Sequence, residues 1–195
     1  SAGNTIAGIA ALGGKTAYIG KVAADQLGEV FTHDIRAVGV TYDTKPLVGG
    51  LPTARSLIFV TPDAQRTMQT FLGASATLGP ADIDPAQVER ARITYLEGYL
   101  WDAPPAKQAM RRAAELARRA GRRVALTLSD AFCVERHRAE FLDLIESSID
   151  VVFANRDEAL ALFRTEDLER ACRELAERCS VAAVTLGDRG SLVLS

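Results

Sequence analysis

Cysteine, histidine and tryptophan are scarce in this chain, with three, two and one respectively. An odd cysteine count argues against a disulfide framework. Cys172 and Cys179 stand seven residues apart and are expected to share one helix face as small buried apolar groups. His33 and His137 are read as lacking a cysteine or second histidine at ligand spacing, so no zinc site is expected. Aromatic residues make up 6% of the chain, and none forms a stacking platform among Arg111, Arg112, Arg118, Arg119, Arg122 and Arg123. Those arginines read as a solvated helix surface, so no nucleic-acid partner is expected. A formal net charge of -2 supplies no general attraction to nucleic acid or anionic membrane. No apolar run approaches the roughly 20 residues that span a bilayer, and no signal-peptide pattern opens the chain. No membrane association is expected, and the expected compartment is the cytosol. Also missing are a Walker-type glycine loop ending in Lys-Ser or Lys-Thr and a full dinucleotide fingerprint.

What is present is an ordinary globular composition, 48% hydrophobic and 25% charged over 195 residues. That length suits one well-packed domain. Ile6, Ile9, Ala10 and Leu12 mark a short helix closed by Gly13-Gly14, and Thr16-Ala17-Tyr18-Ile19 reads as a strand. Asp25 is placed to cap a helix carrying Leu27, Val30, Phe31, Ile35 and Val38, with Gly39 as its stop. Residues 40–74 change character. Pro46, Gly49-Gly50 and Pro52 precede two strand-like runs, Ser56–Val60 and Arg66–Leu72, with a turn at Pro62-Asp63. Beyond them, strands at Ile93–Leu96, Val124–Leu128, Asp150–Ala154 and Val181–Leu186 alternate with helices at 102–121, at Glu135–Ser147 and in two pieces ending near Cys179. This alternation predicts an α/β fold, a parallel sheet with helices on both faces, with 40–74 as a small β lid.

Polar or glycine-rich clusters fall where the strands end: Gly20, Ser129-Asp130, Asn155–Glu158 and Gly187–Gly190. In a parallel sheet those ends form the ligand-binding rim. The sharpest cluster is Asn155-Arg156-Asp157-Glu158, which joins an apolar strand to a helix. An amide and a carboxylate three residues apart there can hold a hydrated metal and, through it, a phosphate. The same pair also reads as a capping box, worth about 1 kcal/mol and no chemistry. Gly187-Asp188-Arg189-Gly190 likewise reads both as a close-approach loop and as a two-residue hairpin turn.

Taken in order, these fragments resemble the ribokinase-like (PfkB) carbohydrate kinases, within them adenosine kinase and its bacterial sugar-kinase relatives. The matching stretches are Ser1–Thr5, Gly20 through Asp25 to Gly28, Arg66-Thr67-Met68, Leu126–Phe132, Phe153–Ala159 and Val184–Gly190. The resemblance covers residues 1–195 as a partial kinase domain with a ribokinase-like sheet. It implies that Gly3 and Asn4 contact sugar hydroxyls and that Arg66 closes over the transferring phosphate. Asn155 and Glu158 would organise magnesium and phosphate, Glu158 through water. Thr185 and Gly187 would line the nucleotide pocket, while Asp25 and Gly28 shape a loop. ATP and Mg2+ are the implied cofactors, and a nucleoside or small sugar the implied acceptor: adenosine first, with fructose, ribose or a non-catalytic binding role as alternatives. Exposed lid edges can pair two copies into a homodimer.

Two departures from the family pattern stand out. Ala23 replaces a usual glycine. The family's Gly-Ala-Gly-Asp run, which supplies the general-base aspartate and the phosphate anion hole, is absent and is expected beyond Ser195. The family's leading strand is likewise expected ahead of Ser1, so that the chain reads as cut at both ends and as nearly inactive by itself. No catalytic residue is therefore assigned within it.

Overall fold

The computed structural model describes residues 2–195 and resolves them into two compact units, one of residues 3–82 and one of residues 83–195. Ser1, part of the first resembling stretch, lies outside the described residues. The elements in order are α1 (Ala2–Ala11), β1 (Ala17–Tyr18), α2 (Gln26–Ala37), β2 (Thr41–Tyr42), β3 (Arg55–Val60), β4 (Arg66–Phe71), α3 (Pro85–Arg90), β5 (Ile93–Glu97), α4 (Pro104–Arg119), β6 (Arg123–Thr127), α5 (Ala131–Ser148), β7 (Val151–Asn155), α6 (Arg156–Phe163), α7 (Leu168–Ala176), β8 (Val181–Thr185) and β9 (Ser191–Leu194).

In the first unit, β1 and β2 pair in parallel, Ala17 beside Thr41 and Tyr18 beside Tyr42. Tyr18, Phe31 and Tyr42 meet with ring centroids 5.6–5.8 Å apart, packed with Ile35, Val40, Ile6 and Ala10. Asp25 caps α2 as its position foretells: Oδ1 accepts from Gly28 N at 2.8 Å. The same carboxylate accepts from Thr53 twice, at Oδ1 from the hydroxyl (2.6 Å) and at Oδ2 from the backbone N–H (2.8 Å), so one side chain ties the helix start to the chain before the hairpin. The Thr53 hydroxyl, then the two backbone donors, hold the Asp25 carboxyl below its ordinary value. Because the folded value is the lower one, the contribution to stability is full above the unfolded carboxylate value and is lost as pH falls through the folded one. Thr53→Val is therefore expected to flatten the acid limb of the pH–stability curve, read from urea midpoints between neutral and strongly acid pH.

β3 and β4 form an antiparallel hairpin, Arg55 opposite Phe71 through Val60 opposite Arg66, as the two strand-like runs predict. Every residue of both strands is exposed, Leu57, Ile58, Phe59, Val60 and Met68 each by more than half.

In the second unit, β5, β6, β7 and β8 lie side by side in sequence order, all parallel, and β9 closes the edge antiparallel to β8. The parallel α/β class stands. Burial alternates along the strands because side chains alternate between faces. Val152, Ala154, Ala182 and Val184 are covered, while Phe153 is 40% exposed and packs beside Tyr95. α4 rests on β5 and β6, α6 on β7 and β8, and α7 on β8. The α4 arginines behave as the solvated surface expected of them. Arg111 faces Asp143 at 3.4 Å, Arg112 and Arg119 face Glu115 at 3.3 and 2.6 Å, and Arg118 faces Asp150 at 3.5 Å.

Three readings need correction. α7 ends at Ala176, so Cys179 lies beyond it, half-buried, its thiol 3.2 Å from Leu175 O and 3.3 Å from Val181 O. The turn after β8 is not a two-residue hairpin: Leu186–Gly190 intervene, with a short 3-10 turn at Gly187–Arg189. The helix expected at Glu135–Ser147 begins four residues earlier at Ala131, because the Asp130 side chain accepts from Phe132 N and starts it.

Candidate functional site

β7 ends at Asn155 and α6 begins at Arg156 with no intervening loop, so the strand's last residue is also the helix cap. Asn155 Oδ1 accepts from Glu158 N at 2.8 Å, and Glu158 Oε2 accepts from Asn155 N at 2.9 Å. A third bond, Asn155 Nδ2 to Glu158 Oε1 at 2.8 Å, locks the two side chains together. The capping box is thus complete, and a cap of this kind contributes about 1 kcal/mol.

Capping alone leaves the electrostatics unexplained. Glu158 is 5% exposed, one of two buried polar or charged side chains among the described residues. Burial first, then the neighbouring Asp130 and Asp157, push its carboxyl above the ordinary glutamate value, against the opposing Asn155 N–H. The raised value means that the folded chain loses stability as pH rises through the window between the ordinary and the raised value. Tyr99 is raised too, by burial and then by Asp130, Glu158 and Glu97. Several acidic groups therefore crowd one end of the second unit's sheet, an arrangement that a cation would relieve. Glu158 Oε2 accepts from Asn155 N and Oε1 from Asn155 Nδ2, and each oxygen keeps a second lone pair. The residues present thus fit a hydrated magnesium ion, whose water Glu158 and Asn155 would hold.

Thr185 ends β8 directly opposite Asn155, exposed, its hydroxyl 3.5 Å from Ala154 O. Gly187 follows two residues later at φ 67°, a backbone state that L side chains seldom adopt. The structure therefore gathers Asn155, Glu158, Thr185 and Gly187 at one end of the sheet. The other three expected site residues belong to the first unit. Gly3 and Asn4 lie in the first turn of α1, Gly3 beneath the Phe31 ring and Asn4 exposed. Arg66 opens β4 next to the hairpin turn, exposed. Asp25 and Gly28 shape the start of α2, as described above.

Two residues at the same rim escaped the sequence reading of individual roles. Ser129 follows β6 with φ 71°, and its hydroxyl accepts from Gly98 N at 3.1 Å. A non-glycine residue in this conformation stores strain, which concentrates at functional sites. Gly98 follows β5 so closely against the end of β6 that an added Cβ would lie 2.5 Å from Leu128 O. The Ser129-Asp130 cluster was legible as a strand end, whereas its left-handed backbone carries no sequence signal outside glycine and asparagine.

Comparison with known proteins sets these observations in a lineage. The profile of the pfkB family carbohydrate kinases matches residues 1–195. The crystal structure of adenosine kinase from Sinorhizobium meliloti superposes with a TM-score of 0.96 at 60% identity, covering 99% of this chain and 59% of that one. A probable sugar kinase protein from Rhizobium etli CFN 42 gives 0.97 at 56% identity, covering 100% of this chain and 59% of that one. Among curated proteins, Probable fructokinase-6, chloroplastic, of Arabidopsis thaliana is 27% identical over 172 residues, 84% of this chain and 44% of its own length. The chain thus spans well under two thirds of these relatives. Among the described residues, no helix is long and apolar enough to cross a membrane.

Proposed function

Because the chain belongs to the pfkB family of carbohydrate kinases, we propose that the protein it forms part of transfers the γ-phosphoryl group of ATP to a hydroxyl of adenosine. The observation that carries this reading is the desolvated Glu158 carboxylate, locked to Asn155 and crowded by Asp130 and Asp157 at the mouth of β7. Phosphoryl transfer is mostly positioning and charge stabilisation, and a rim of this kind serves both. Asn155 and Glu158 would hold the water around Mg2+, which would offset charge on the phosphate oxygens. Thr185 and Gly187 border the nucleotide, Gly187 allowing close backbone approach. Gly3 and Asn4 meet acceptor hydroxyls, and Arg66 in the lid (40–74) meets the transferring phosphate. The Gly-Ala-Gly-Asp run does not occur in the 195 residues. This stretch alone is accordingly expected to bind without appreciable turnover. The compartment is the cytosol in this reading. The exposed apolar side chains Leu57–Val60, Met68 and Phe71 on the hairpin β3–β4 support pairing of two copies through the lid, and Phe59→Ser is expected to lower the sedimentation coefficient toward that of a single copy.

A sugar acceptor is the second reading, favoured by the similarity to the Rhizobium etli sugar kinase at 56% identity. Glu158→Gln in the longer protein tests the shared claim. Groups that hold a metal's surroundings typically cost 10–100-fold when altered, and kcat/KM is expected to fall by roughly that factor, with a higher Mg2+ requirement. Stability is expected to stay within about 1 kcal/mol, since one lost hydrogen bond is offset by relief of a buried charge. Unchanged kinetics would reduce the pair to a cap.

A further inference from the structure

Starting from the same rim at Gly98, a 3-10 segment (Gly98–Asp102) leads from β5 into α4, and Asp102 at its end faces the first turns of α5. Cys133 and His137 stand four residues apart on α5 and so share a face. α5 departs from helical geometry at His137 itself (φ -117°, ψ 21°). His137 Nε2 lies 2.7 Å from Asp102 Oδ1, and its Nδ1 lies 3.3 Å from Glu140 Oε1. One ligand atom from each of Asp102, Cys133 and His137 falls within 4.8 Å of the others. The expectation that His137 has no cysteine at ligand spacing is thereby corrected.

We propose that Asp102, Cys133 and His137 form a binding site for a borderline-soft divalent transition metal of the zinc class. Three observations carry it. The donor set is one thiol, one imidazole and one carboxylate, a combination that suits zinc at bonds of about 2.0–2.3 Å. Ligands around a tetrahedral ion sit roughly 3–4 Å apart, so the 2.7 Å His137–Asp102 edge must open and the wider edges close, by side-chain movements of about 1 Å. The imidazole is already oriented from behind: Nδ1 meets Glu140, which Lys107 holds at 2.9 Å, and Nε2, now 2.7 Å from Asp102 Oδ1, would give up that contact to take the ion. That carboxylate–histidine–metal arrangement fixes tautomer and ring orientation in metal sites generally. Asp102 is half-exposed, which leaves solvent access and a fourth position for water.

In the metal-free chain the same groups have substitutes. Arg136 grips Asp102 with bonds of 2.6 and 3.2 Å, and the Cys133 thiol donates weakly to Gly98 O at 3.5 Å. Burial, then Asp102, hold that thiol up at about 11, so an ion must displace its proton, as coordinated thiols require. Arg136 is therefore a competitor for the carboxylate. Bound metal would clamp the segment after β5 to α5, a few residues from Ser129-Asp130.

Cobalt(II) titration of the chelator-treated chain reads the site directly, because a cobalt–thiolate bond gives a near-ultraviolet charge-transfer band. One equivalent is expected to produce the band, Cys133→Ser and His137→Gln to abolish it, and Glu140→Gln to weaken binding roughly 10–100-fold. Arg136→Gln, on the exposed side, removes the competitor without touching a ligand and is expected to tighten binding several-fold. No thiolate band, a band that survives Cys133→Ser, or an Arg136→Gln chain that binds no tighter would overturn the proposal.

Discussion

Gly28→Ala is expected to unfold the start of α2. An added Cβ would stand 2.0 Å from Ala23 O and 3.1 Å from Thr53 Oγ1, and the first of these is backbone with no rotamer to yield. The helix start must therefore move more than 1 Å to reach ordinary contact distance. Moving it pulls Gly28 N from Asp25 and Asp25 from Thr53, two links that the same carboxylate makes. Over-packing of a yielding core costs about 1–3 kcal/mol, and a rigid backbone contact belongs at or above the top of that range. Hydrogen exchange should show protection lost first at the α2 amides. Gly8→Ala is the matched control: Gly8 sits in α1 with nothing within 4 Å of its added Cβ. There alanine should be neutral or stabilise by roughly 0.4–1 kcal/mol.

The second large effect is expected from Trp101→Ala. Trp101 is fully buried, stacked on Phe141 at 5.2 Å, with Lys107 Nζ at 5.7 Å and the Arg111 guanidinium at 5.4 Å from its ring centroid. Truncating a buried tryptophan costs about 3–5 kcal/mol through lost transfer energy and the cavity left behind. For a chain of this size that corresponds to a fall in Tm of roughly 6–20 °C. Trp101 is the sole tryptophan, so the change also removes the fluorescence reporter and must be followed by calorimetry or circular dichroism. Its indole Nε1 has no partner among the described residues, so Trp101→Phe should recover most of the loss.

The sequence made the second unit's framework legible because local and global signals agree there. The apolar strands β5 to β8 and the amphipathic α4 sit where their periodicity places them, and Asp25 and Asn155 cap the helices their positions foretell. α3 went unassigned, although Asp84 before Pro85 is a helix-start signal, because six residues carry too little periodicity to register. Cys179 was assigned to α7 by counting residues, and the helix ends before reaching it. The Cys133–His137 spacing of four was open to reading and went unread, whereas the third member of that cluster, Asp102, was hidden for two reasons. Asp102 is remote in sequence, and His137 reaches it through a local departure from the helix that no residue pattern announces. Asn155 and Glu158 were legible as a pair, but the burial that raises the glutamate depends on tertiary packing.

The central claim is that this chain forms part of a Mg2+-dependent kinase acting on a nucleoside or sugar hydroxyl. The most direct test is transfer of γ-labelled phosphate from ATP, with and without Mg2+, by the longer protein that contains residues 1–195, using adenosine, ribose and fructose as acceptors. The account predicts Mg2+-dependent label on an acceptor hydroxyl, adenosine ahead of the free sugars. Label on none of them, with or without magnesium, would contradict it.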